Sequence, residues 1–162
     1  MISGNFFSKC IEIERLIGSL YAHFAQNKNY DEERRSMWTK LSQDEEGHAL
    51  DLELASRISL KSEKLSTTIP IGLLDDLLNH LNKIFSSIKQ QSITDAAAVK
   101  LAVEIEVEAM VVHSRSSVEF HDDQLRKLFM SLGTYDSHHL SGLAEAYHHL
   151  HGHEPVTLTQ GF

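Results

Sequence analysis

Apolar residues recur at three- and four-residue spacing along nearly the whole chain, and strand-like alternation is almost absent. Residues three and four apart share one face of a helix, so this spacing predicts long amphipathic helices. Five segments carry it. The first is predicted over residues 6–26, with Leu16, Ile17, Leu20, Tyr21 and Phe24 on one stripe. "NKNYDEE" follows as a turn, in which Asp31 can cap a second helix over about 32–58. Residues 59–70, "SLKSEKLSTTIP", are polar and end in Pro70, which marks a connection. A stripe of Leu74, Leu77, Leu78, Leu81, Ile84, Phe85 and Ile88 predicts a helix over 71–91. Thr94 and Asp95 can cap another reaching about 118, and the last runs over about 122–149. Four long helices with a shorter one between the second and third predict an all-α fold. The expected form is an antiparallel four-helix bundle whose long crossover contains the extra helix. Residues 1–150 form this one domain, and 151–162 a short tail containing histidine.

Carboxylates interrupt the most apolar of these helices, and they do so twice. "CIEIERLIGSLYAHFA" carries Glu12 and Glu14, and "LAVEIEVEAMVVHS" carries Glu104, Glu106 and Glu108. Glu14 continues through Ile17 to Tyr21 and Phe24, which places it on the core stripe. Glu12 lies about 160° around the helix and faces outward. By the same reasoning Glu106 joins Val99, Val103, Met110 and His113 on the inward stripe, with Glu104 and Glu108 flanking it. The other two long helices each hold an acid-x-x-His pair on an apolar stripe. Glu45 and His48 lie among Leu41, Leu52 and Ala55, and Asp136 and His139 among Leu128, Leu132 and Leu143. Residues three apart share a face, so each pair can grip one ion.

The two halves are in register. Glu14 to Glu106 is a step of 92 residues, and Glu45 to Asp136 and His48 to His139 are each steps of 91. The chain therefore reads as a duplicated helical hairpin. Four carboxylates converging in a bundle core would repel one another, and burial of charge is costly unless it is compensated. Glu14, Glu45, Glu106 and Asp136 together match the charge of two divalent cations, with neutral His48 and His139 completing the set. Oxygen-rich ligation with one imidazole per ion suits iron or manganese.

This constellation resembles the ferritin-like di-iron carboxylate superfamily, and within it the rubrerythrin-type proteins. "ERLIGSLYAHFA", residues 14–25, is similar to the family's first helix, with Glu14, Tyr21, Phe24 and Ala25 at the matching places. "EEGHA", residues 45–49, resembles its second-helix ligand motif, and the likeness spans about residues 6–147. The resemblance implies a ferritin-like bundle holding two iron ions, with manganese or another divalent pair as the alternative. Glu14 and Glu106 would be outer ligands, Glu45 and Asp136 would bridge, and His48 and His139 would complete the ions. Tyr21 would be a catalytic proton and hydrogen-bond donor beside a ligand carboxylate. The implied activity is an oxidoreductase of oxidative-stress defence that reduces hydrogen peroxide or dioxygen with electrons from an external donor. Ferritin-like iron oxidation and storage is the alternative, as is a structural bundle with a degenerate metal site. The chain departs from the family pattern in three places. Asp136 stands where Glu is usual, His113 where the second half often has Tyr, and Ala109 where a further Glu is common. The rubredoxin module is absent, since its four-cysteine iron site cannot be built from Cys10 alone.

Composition narrows the setting. The formal charge is −8, from 15 basic and 23 acidic residues, which disfavours nucleic acid and anionic membranes as partners. The glutamates break every apolar run short of the roughly 18–20 residues of a membrane span. A single cysteine excludes an internal disulfide, and "MISGNFFSKC" has no secretory pattern, so a cytoplasmic setting is expected. The leftover apolar residues Phe6, Phe7 and Trp38 are expected at a two-fold contact in a homodimer or higher homo-oligomer.

Overall fold

A computed structural model describes residues 2–59, 71–90, 92–119 and 122–151. The expected connection over 60–70 and the tail over 152–162 lie outside the described residues. The described residues form five helices, α1 (Ile2–Ala25), α2 (Glu32–Ser59), α3 (Ile71–Ile88), α4 (Asp95–Glu119) and α5 (Asp123–His151), and no strand. None of these helices is long and apolar enough to cross a membrane.

The helix starts follow from their caps. The Asp31 carboxylate accepts the Arg34 N–H at 2.7 Å, Thr94 Oγ1 accepts the Ala97 N–H at 3.3 Å, and Asp122 accepts the Leu125 N–H at 3.0 Å. Each satisfies one of the amide donors that a helix N-terminus leaves without a partner. α1 begins four residues before the expected start, because Phe6 and Phe7 pack inward and carry the apolar stripe to the N-terminus.

Packing sorts the helices into two hairpins, α1 with α2 and α4 with α5, while α3 lies mainly against α1. Contacts give the directions. Glu14 faces His113 and Tyr21 faces Glu106, so α1 and α4 run antiparallel. Glu45 faces His139 and the His48 ring lies 5.2 Å from the Tyr135 ring, so α2 and α5 do too. Lys9 pairs with Asp75, and the His23 ring lies 6.4 Å from the Phe85 ring, so α3 follows α1 in the same direction. At its far end the chain enters α4 beside the α1–α2 turn, where the Tyr30 hydroxyl donates to the Ile93 carbonyl at 2.9 Å.

The expected two-fold contact through Phe6, Phe7 and Trp38 is not available, because all three are buried within the chain. Phe6 and Phe7 pack on Phe129, with ring centroids 5.8 and 6.3 Å away. Trp38 packs on Tyr21 and Phe24 at 5.4 and 5.0 Å. A sequence stripe records that these rings are apolar, but not that rings from different helices meet. Along α1 the two aromatic clusters flank Glu14, and together they wall off the middle of the bundle.

Candidate metal centre

Four helices each turn one acidic stripe toward that walled middle. Glu14, Glu45, Glu106 and Asp136 are all buried, as are His48, His113 and His139. Their neighbours along each helix are Ile17, Leu41, Leu52, Val103, Leu132 and Leu143, so the packing of the apolar stripe carries the polar groups inward with it. Glu12, the other acid of "EIE", is exposed, and Glu104 and Glu108 are half-buried at the flanks.

Among the described residues, two groups of side chains could each hold a metal ion: Glu14, Glu45 and His48, and Glu45, Glu106 and His139. Within each group the ligand atoms lie within 4.8 Å of one another. Glu45 belongs to both. Its Oε2 is 3.0 Å from His48 Nδ1 and its Oε1 is 3.1 Å from His139 Nδ1. His48 Nδ1 also faces Glu14 Oε2 at 3.4 Å, and His139 Nδ1 faces Glu106 Oε1 at 3.4 Å. The two imidazoles stack with centroids 5.6 Å apart. Tyr21 donates its hydroxyl to Glu106 Oε1 at 2.7 Å. Asp136 is brought to the same layer but belongs to neither group; its Oδ2 lies 2.7 Å from His113 Nδ1.

Close approach of α1 to α2 depends on Gly18. A Cβ there would meet the Glu45 Cβ at 3.2 Å and the Ser42 carbonyl oxygen at 3.3 Å. Ser42 Oγ in turn donates to the Gly18 carbonyl at 2.8 Å. The glycine, one turn after Glu14, thus brings Glu45 against α1.

Charge is balanced by protons where cations are absent. Burial opposes charge on His48, but the Glu14 and Glu45 carboxylates outweigh it and raise its pKa to about 10. Burial likewise opposes charge on His139, and Glu106 and Glu45 raise it to about 11. For His113 the Glu14 charge and the Asp136 hydrogen bond overcome burial and push it well above the ordinary imidazole value. Glu45 is raised to about 7, chiefly by burial, against the close His139 ring and the His48 hydrogen bond, which lower it. Burial pushes Glu14 up, but the His113 charge and the close approach of the His113 and His48 rings hold it below the usual carboxylate range. The Tyr21 phenol is raised by burial and by the Glu106 charge, so it stays protonated as a donor.

The fit to a metal can be judged from atoms left without hydrogen bonds. Both carboxylate oxygens of Glu14, Glu45 Oε1 and His139 Nδ1 are buried and unpaired by hydrogen-bond geometry. Buried polar atoms are ordinarily satisfied by hydrogen bonds, whereas these four meet only ion-pair contacts with one another and with His48, His113 and Glu106, an arrangement that a bound cation would satisfy. All four belong to the two groups that could hold an ion. These residues therefore fit a hard or borderline divalent cation bound by carboxylate and imidazole.

Sequence reasoning missed Asp44, whose Oδ2 lies 3.5 Å from His139 Nε2, the nitrogen turned away from the candidate ion position. A carboxylate there orients a ligand imidazole. Its place directly before Glu45 was the available signal. A cleft of about 730 Å³ between α2 and α5 reaches the edges of His48 and His139 past Leu41, Leu50, Tyr135 and Leu143. No protein-family model, curated protein or solved structure matches the chain.

Proposed function

We propose that this chain is a dinuclear non-haem metal protein of ferritin-like, rubrerythrin type, loaded with iron or manganese, and that it reduces hydrogen peroxide or dioxygen. The support is Glu45, a buried carboxylate shared by two acid–histidine groups in which both Glu14 oxygens, Glu45 Oε1 and His139 Nδ1 have no hydrogen bond. In this reading α3 is the long crossover of a ferritin-like bundle, since it runs beside α1 between the two hairpins. A homodimer or higher homo-oligomer and a cytoplasmic setting complete the proposal.

When bound, a ferrous pair supplies two electrons, one per ion, which with two protons convert one peroxide to two waters, and an external donor restores them. The protein's own contributions are positional. Glu14 with His48, and Glu106 with His139, would hold one ion each, and Glu45 would join them. Tyr21 keeps Glu106 oriented through its hydroxyl and holds a proton next to the site. The aromatic clusters close the two ends of the site along α1, and the α2–α5 cleft would admit a small oxidant at the histidine edges.

Anaerobic loading with ferrous iron followed by peroxide titration tests the proposal. One peroxide should be consumed per two iron ions oxidised, faster than by free ferrous iron. Absence of bound iron, or oxidation no faster than in buffer, would overturn it.

A further inference from the structure

The internal repeat that relates Glu14 to Glu106 by 92 residues also relates Tyr21 to His113. The contacts follow the repeat. Tyr21 of the first half donates to Glu106 of the second at 2.7 Å, and His113 Nε2 of the second half lies 3.1 Å from Glu14 Oε1 of the first. Each half thus turns one side chain across the bundle to the other half's carboxylate, Tyr21 as a hydrogen-bond donor and His113 at ion-pair distance. The repeat breaks at the next pair. Glu45 is shared by both candidate metal groups, whereas its counterpart Asp136 is taken up by His113 Nδ1 at 2.7 Å. Aspartate is one methylene shorter than glutamate, and His113 carries a second ring nitrogen that tyrosine lacks. The two substitutions therefore match each other: the extra nitrogen meets the shortened carboxylate.

We propose that His113 is a positioning residue that holds the Glu14 carboxylate, that Asp136 fixes the His113 ring, and that Glu45 is the sole carboxylate shared by two ions. This assignment rests on the metal-centre reading above. Glu14 then divides its oxygens, with Oε1 toward His113 and Oε2 toward His48. His113 is buried among Glu14 of α1 and Asp136 and the Phe129 ring of α5, the ring 6.1 Å away, so its orientation is fixed from two neighbouring helices. Groups that hold a ligating carboxylate in place tune affinity without being ligands themselves.

Cobalt(II) titration of metal-free protein provides the test, comparing wild type with Asp136→Asn, His113→Gln and Glu14→Gln. Asparagine keeps an acceptor for the ring, and glutamine keeps an N–H donor for Glu14. Both variants should bind the wild-type number of ions with affinity lowered about 10–100-fold, the range for removing an outer support. Glu14→Gln should lose an ion. Loss of an ion in Asp136→Asn or His113→Gln would make that residue a ligand and overturn the proposal, and so would wild-type affinity in both. Wild type needs no variant to fold: ring ¹⁵N shifts of its zinc-loaded form should show two metal-bound imidazoles, His48 and His139, and a third would overturn the assignment. A wild-type protein that binds neither metal would sink the metal-centre reading itself, which is a different failure.

Discussion

Glu45 stands between His48 and His139 with one carboxylate oxygen toward each. If it joins two ions, Glu45→Gln should release both, whereas Glu14→Gln should release only the ion shared with His48. Metal-to-protein ratios after dialysis separate the two, and equal retention in both variants would contradict the shared role. Protons provide a second check at this scale. His48 and His139, raised to about 10 and about 11, are both charged at neutral pH without metal, and each must lose its proton to bind an ion. Loading at pH 7 should therefore release about two protons per chain from these imidazoles, with Glu45 adding a fraction. Calorimetry in buffers of different ionisation enthalpy reads that number, and zero release would contradict the assignment of these ligands. That the six acids and histidines of the two halves turn into the bundle was legible in the sequence, because each fell on an apolar stripe and each had a counterpart 91 or 92 residues away. That Asp136 turns to His113 was not legible: periodicity gives the face a residue occupies, but not which neighbour its shortened side chain reaches.

At the level of elements, helix boundaries came from caps and stripes and agree with the structure to a few residues. Interhelix contacts were less legible. Phe6, Phe7 and Trp38 looked like spare apolar surface until α5 and α1 supplied Phe129, Tyr21 and Phe24 as partners. Gly18 shows the same limit, since its need appears only when Glu45 is placed against it. Gly18→Ala gains about 1 kcal/mol of helix propensity but forces α1 from a backbone oxygen and from Glu45, at about 1–3 kcal/mol. The variant should lower both melting temperature and metal affinity. Gly47, exposed with nothing within 4 Å of an added Cβ, is the control. Gly47→Ala should stabilise by roughly 0.5–1 kcal/mol. Thermal denaturation of both variants decides the matter, and a stabilised Gly18→Ala would show that the contact can yield.

The whole molecule couples charge, folding and metal. His48 and His139 have folded pKa values raised above the unfolded imidazole value, so they stabilise the metal-free fold fully below pH 6.5. That contribution is lost as pH rises through about 10 and about 11. Glu45 acts in the same direction between pH 4.5 and about 7, because its folded pKa is also raised. Metal-free melting temperature should therefore fall from pH 7 to pH 10. Metal binding strengthens over the same interval, since fewer protons compete. Metal should raise melting by about 10 °C at neutral pH, from about 4 kcal/mol at a thousandfold excess over Kd, and the gain should grow with pH. A metal-induced gain that shrinks as pH rises would contradict this coupling.

The most direct measurement is metal content of the native protein combined with anomalous diffraction at the metal edge. The account predicts about two ions per chain, following the duplicated ligand set, with two peaks on either side of the Glu45 carboxylate. One peak should lie beside Glu14 and His48, and the other beside Glu106 and His139. A protein isolated without metal that also refuses ferrous iron, or whose only peak lies away from Glu45, would contradict the account.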